Sequence, residues 1–196
     1  MGKKKIISKE ELKQVGEKIF SQNGYFLTKI SDIVTEAGVS QGTFYLNYDS
    51  KKALFIDLLK DFREGLIFLL NKQDLKEMDS EKALVESQKR LFSYLMENKT
   101  KTSLIYREGY AEKDFAIILE DIHRILTETR SRMLKDIFGE KLSDEERESY
   151  SYMIGGLIRS LFMFYERKNP TKDEYSKKIE KVLTRFLTCL KADINP

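Results

Sequence analysis

Apolar residues recur at a spacing near 3.6 along almost the whole chain, and nothing interrupts that period from within. The two prolines, Pro170 and Pro196, both lie outside the periodic segments, and no stretch alternates polar and apolar residues as a half-buried strand would. The chain is therefore expected to be all-α, with about nine helices in all.

Local signals place the ends. Ser8 and Glu11 have capping-box spacing, and Asn23-Gly24 closes a helix whose face carries Leu12, Val15, Ile19 and Phe20. A second, short helix after Thr28 turns Ile30, Ile33, Val34 and Ala37 inward before Gly38 reverses the chain. Ser40 caps a third helix, and Ser50 a long fourth that carries Leu54, Leu58, Leu59, Phe62, Leu66 and Leu69. The polar stretch from Asn71 to Ser80 reads as a loop. Later helices are expected over 81–98, 103–110, 113–138, 144–167 and 172–191, two of them opened by the capping boxes Ser143-x-x-Glu146 and Thr171-x-x-Glu174.

No apolar run is long enough to span a bilayer; the best, Met153 to Tyr165, contains Arg159. The basic start leads straight into Ser8-Lys9-Glu10-Glu11 and does not read as a signal peptide. With a single cysteine, Cys189, no internal disulfide can form, and a cytoplasmic location is expected. Cys189 lies among Phe186, Leu187 and Leu190 and reads as a small buried residue. Charge is uneven: residues 1–52 hold nine lysines against six acids, whereas the remainder balances at 26 basic and 26 acidic residues. The excess points to an anionic partner at the N-terminal end.

That end holds a short helix, a tight turn at Gly38-Val39 and another short helix, the helix-turn-helix layout. In a chain with 34% charged residues, "VSQGTFYLNY" from Val39 to Tyr48 carries no charge. Val39, Phe44 and Tyr48 would face Ile33, Val34 and Phe20, leaving Gln41, Gly42, Thr43, Tyr45 and Asn47 outward. Gln and Asn can make paired hydrogen bonds to adenine, Thr can meet a thymine methyl or a phosphate, and Gly42 lets the helix approach DNA closely. Neighbouring lysines would supply phosphate attraction.

The stretch from Gly24 to Phe55, "GYFLTKISDIVTEAGVSQGTFYLNYDSKKALF", resembles the DNA-binding domain of the TetR family of bacterial transcription regulators. The resemblance rests on Gly24-Tyr25, Thr28, Asp32-Ile33, Ala37-Gly38-Val39-Ser40, Gly42-Thr43-Phe44-Tyr45, Tyr48 and Ser50-Lys51 through Leu54. It implies DNA contacts from Thr28, Gln41, Gly42, Thr43, Tyr45, Asn47 and Lys51, with Thr28, Tyr45 and Lys51 on phosphates, and Lys5, Lys29, Ser40 and Tyr48 complete the expected DNA-binding set. Where the family carries a pair of threonines this chain has Thr28-Lys29, and Val34 and Tyr48 replace the usual alanine and phenylalanine.

The resemblance further implies a helix-turn-helix domain over residues 1–52 and an effector-binding and dimerisation domain over 53–196. Wide stripes on the last two helices fit a homodimer packed as a four-helix bundle: Ile154, Leu157, Ile158, Leu161 and Tyr165 on one, Val182, Phe186 and Leu190 on the other. Gly155-Gly156 suggests close helix approach. For a hydrophobic or aromatic ligand the candidate residues are Phe62, Leu66, Phe92, Tyr106, Tyr110, Phe115, Leu119, Ile122, His123 and Phe162, each of which could equally be plain core. One histidine and one cysteine give no metal cluster, and no phosphate loop or nucleophile elbow is present, so no catalytic residue, metal or cofactor is expected. The expected function is an operator-binding dimeric repressor released by a small molecule. The competing reading is a dimeric DNA-binding protein controlled by a protein partner.

Overall fold

The structure, a computed structural model, describes residues 7–168 and 170–194. Its elements are α1 (Lys9–Asn23), α2 (Ile30–Ala37), α3 (Gln41–Tyr45), α4 (Lys51–Leu70), α5 (Gln73–Lys76), α6 (Ser80–Glu97), α7 (Lys99–Glu108), α8 (Lys113–Phe138), a 3-10 turn (Gly139–Lys141), α9 (Asp144–Tyr165) and α10 (Lys172–Ile194). The chain is all-α, and no strand occurs among the described residues. None of the described helices is long and apolar enough to cross a membrane.

The caps sit where the sequence puts them. Glu11 N–H donates to Ser8 Oγ at 3.1 Å while Ser8 N–H donates to Glu11 Oε2 at 2.8 Å, and the same reciprocal pairing joins Ser143 with Glu146 and Thr171 with Glu174. Ser50 Oγ accepts from Ala53 N–H at 3.0 Å, opening α4. Two elements differ from expectation. The stretch read as a loop contains α5, held by the buried Leu75 and by Asp74, whose two oxygens meet Arg90 at 3.0 and 2.6 Å. The polar run at Lys99 opens α7 instead of preceding it, because Thr102 is fully buried.

The chain divides into two compact units. The first runs through Glu64 and adds Thr100–Glu120. An aromatic cluster forms its centre: Phe20 meets Phe55 edge-on at 5.4 Å, Phe55 meets Phe115 at 4.5 Å, and Tyr25 meets Phe115 edge-on at 5.0 Å. Each fully buried ring contributes about 2–3 kcal/mol, and edge-on pairs add to that. α1 crosses α4 closely at Gly16, where a Cβ would lie 2.6 Å from Leu54 Cδ2.

The second unit comprises Gly65–Lys99 and the segment from Asp121 onward. In it α6 packs against α9 and α10 around Leu84, Phe92, Ile158, Phe162 and Leu183. Buried polar groups there are satisfied in series: Arg130 Nε donates to Gln88 Oε1 at 2.9 Å, Gln88 Nε2 to Ser87 Oγ at 3.1 Å, and Ser87 Oγ to the Leu84 carbonyl at 2.7 Å.

Three expected assignments change in this unit. Ile154, Ile158 and Leu190 are 1%, 2% and 4% exposed, so they are intrachain core and cannot form the surface of a dimer contact. Cys189 is exposed, not buried, because α10 turns Leu187 and Leu190 inward on either side of it. Gly155 is accounted for within the chain, since a Cβ there would meet Arg130 Nη1 at 3.0 Å, whereas the neighbouring Gly156 faces open space.

Candidate nucleic-acid interface

The turn between α2 and α3 is built by Gly38, which takes φ 68 and ψ 35, the left-handed conformation that costs a side chain energy. Its N–H donates back to the Thr35 carbonyl, and Val39 N–H to the Val34 carbonyl at 3.0 Å, which ends α2. Ser40 then opens α3 by accepting from Thr43 N–H at 3.3 Å. Two rings anchor α3 from below: Phe44 is fully buried, and Tyr48 is 5% exposed with its hydroxyl donating to Asp57 Oδ2 at 2.8 Å.

Asp57 is the hub of this anchor. Lys9 and Lys13 also reach it, at 3.4 and 3.7 Å, and Lys13 further meets Glu10 at 2.9 Å and Asp61. Burial works against the Asp57 charge, but the Tyr48 hydroxyl and the two ammonium groups outweigh it and hold the carboxyl below its ordinary range. Burial and the Asp57 carboxylate together push the Tyr48 phenol well up, so it remains a donor.

Several expected contacts are therefore reassigned. Tyr48 belongs to the core. Thr28 is 1% exposed, and its hydroxyl donates to the Gly24 carbonyl at 2.7 Å, so it holds the turn between α1 and α2 and does not face a phosphate. Lys51 is half-buried and turns its ammonium onto its own unit, donating to the carbonyls of Tyr25 at 2.7 Å, Phe26 at 3.3 Å and Thr28 at 2.7 Å, and lying 4.5 Å from the Tyr25 ring centre. Burial lowers its pKa, with Glu112 and Asp32 opposing. Asn47 is half-buried and turns its amide back, donating to the Thr43 carbonyl at 2.9 Å. Lys5 lies outside the described residues.

What remains outward is compact. Gln41, Gly42 and Tyr45 are exposed, Thr43 is half-exposed with its hydroxyl 3.1 Å from Ser40 Oγ, and Lys29 is exposed at the start of α2. Leu46, absent from the sequence-based set, is 87% exposed. The first unit is braced beneath this surface by Glu112, which accepts from the Tyr25 hydroxyl at 2.8 Å and pairs with Lys52 at 2.9 Å. Lys52, then the Tyr25 hydroxyl, hold the Glu112 carboxyl below its ordinary value.

The residues expected around a ligand fall on both units. Phe115 is part of the first unit's aromatic cluster, and Phe62 and Leu119 are buried in it; Tyr106 is half-buried, and Tyr110 is 58% exposed rather than enclosed. In the second unit Leu66, Phe92, Ile122 and Phe162 are buried and His123 is half-buried, with Phe92 packed on the rings of Tyr165 and Tyr175. A groove of about 360 Å³ does open on this unit, but other residues line it, among them Met78, Val85 and Leu187 with Glu81, Lys82 and Glu180.

A helix-turn-helix with an uncharged outer face on its second helix is the layout that DNA-binding regulators use. Residues 14–58 match the family model of bacterial regulatory proteins, tetR family. The chain is 30% identical over 129 residues to the uncharacterized HTH-type transcriptional regulator YdgC of Bacillus subtilis (strain 168), a match covering 62% of this chain and 66% of that relative, just under two thirds of its length. Among solved structures it is similar to a transcriptional regulator (TerR/AcrR family) from Aquifex aeolicus VF5, with TM-score 0.75, 22% identity and coverage of 91% of this chain and 98% of that one. It is also similar to the fatty acid degradation regulator FadR from Bacillus halodurans, with TM-score 0.71, 19% identity and coverage of 92% and 96%. Residues 14–58 thus carry the DNA-binding segment of the tetR family, and the relatives and solved structures named here are transcription regulators.

Proposed function

We propose that this regulator is a homodimeric repressor that reads a palindromic operator with α3 and releases it when a small hydrophobic molecule binds. The observation that carries the reading is the division of α3, with Phe44 and Tyr48 locked beneath and Gln41, Thr43 and Tyr45 presented above. Gln41 and Thr43 would meet base edges, and Tyr45 and Lys29 would meet phosphates. One five-residue helix reads too few bases for selectivity, so two are needed, in half-sites roughly 34 Å apart or a multiple of that.

The second unit offers a surface for pairing. Leu157, Leu161, Tyr165, Val182 and Phe186 are half-buried, and Tyr152, Met153, Met163 and Phe164 are more than half exposed on α9. Such an apolar face on a charged chain marks an interface, and Gly156, open within the chain, would allow close approach of a second copy. The likeness in fold to a fatty acid degradation regulator supports an acyl-type ligand, in keeping with the aromatic and aliphatic make-up of the chain. A DNA-binding regulator of this kind would act in the cytoplasm.

Footprinting of the full-length protein on DNA upstream of its own and adjacent genes, with and without long-chain acyl compounds, tests the reading. Paired protection on one face of the duplex that disappears with ligand supports it. Protection unaffected by any small molecule would favour control by a protein partner, and a single unpaired footprint would remove the dimer.

A further inference from the structure

Leu46 follows directly from the geometry of α3. With 100° of turn per residue it stands about 200° around the axis from the buried Phe44, at the centre of the outward face. Its backbone keeps helical angles, φ −71 and ψ −20, and its N–H donates to the Gly42 carbonyl at 3.1 Å, so this projection is maintained past the last full turn. The residue one turn before it on that face is Gly42, where even a Cβ would touch nothing closer than Ser40 Oγ at 3.7 Å. The middle of the presented face is thus a bare backbone followed by an isobutyl group that is 87% exposed. Asn47, the polar neighbour that could have served at this end, has turned its amide back onto Thr43.

We propose that Leu46 reads the C5-methyl of a thymine in each half-site. The proposal rests on α3 entering the major groove, as above. Of the groups that base edges present in that groove, the thymine methyl is the one apolar partner, and a close approach over Gly42 would bring the leucine to it. Leu46 would then act as a specificity-determining residue that excludes cytosine and guanine by lost apolar contact, alongside the hydrogen bonds of Gln41.

The test begins with a site selected by the full-length protein from random duplexes. Each thymine of one half-site is then replaced in turn by deoxyuridine, which lacks only the methyl, and binding is measured for the wild-type chain and for Leu46→Ala. Removing one methyl contact should weaken wild-type binding about threefold to fivefold at one position. Leu46→Ala should weaken binding to the thymine site by a similar factor and show no further loss with deoxyuridine there. Because the side chain is nearly free of the protein interior, the variant should melt as the wild type does. Wild-type indifference to deoxyuridine at every position, or deoxyuridine losses that all persist unchanged in Leu46→Ala, overturns the proposal while leaving the DNA-binding reading intact. Failure to select any sequence overturns both.

Discussion

Lys51 shows how far a residue's chemistry depends on what surrounds it. By position it resembles a phosphate-binding lysine, yet its three donors converge on three backbone carbonyls of the turn between α1 and α2. Charge-assisted hydrogen bonds of this kind contribute about 1.5–3 kcal/mol each where buried; partial solvent access reduces that here. Lys51→Met should therefore cost about 2 kcal/mol of stability in chemical denaturation, and the slope of operator affinity against salt should not change. Lys29→Ala should do the reverse, reducing that slope by about one while leaving the denaturation midpoint in place. Gln41→Ala belongs to a third class: competition among operator variants should show selectivity relaxed at one base pair, by about 1–3 kcal/mol.

At the scale of elements, α1, α4 and the start of α8 are fastened by two devices with different responses. The first is steric. Gly16→Ala would place a Cβ against Leu54, which is itself fully buried, and should destabilise by about 1–3 kcal/mol through overpacking. The second is electrostatic. Because the folded state lowers the Glu112 pKa below its ordinary 4.5, its pairing with Lys52 and Tyr25 contributes stability above that value and loses it as pH falls through the depressed one. Thermal melts between pH 7 and pH 3 should show this acid loss in the wild type and a shallower one in Glu112→Gln. The helix ends were legible in the sequence because caps are local: Ser8, Ser40, Ser143 and Gly38 act on residues within four positions. The fates of Lys51 and Tyr48 were not, since their partners, the Tyr25 and Thr28 carbonyls and Asp57, are set by how turns and helices meet. On α9 the sequence displays one wide apolar stripe, and packing against α6 and α10 divides it into core, Ile154 and Ile158, and half-buried flank, Leu157 and Leu161.

For the whole molecule, Gly156 gives a prediction with two signs. Alanine there meets no atom of its own chain and removes the helix penalty of glycine, so the isolated protomer should gain up to about 1 kcal/mol. If the α9 face approaches a second copy as proposed, sedimentation equilibrium should show weaker association of the same variant. A stabilised chain with unchanged association would place the pairing surface elsewhere. The exposed sulfur of Cys189 has a practical consequence for the same question. It is the chain's one cysteine, and it stands two helical turns from Val182 on α10. A nitroxide attached to it would give a wild-type sample one spin label per chain with no engineering. If two protomers pair as proposed, pulsed electron resonance on that sample would read their separation directly, with DNA or a candidate ligand added to the same tube.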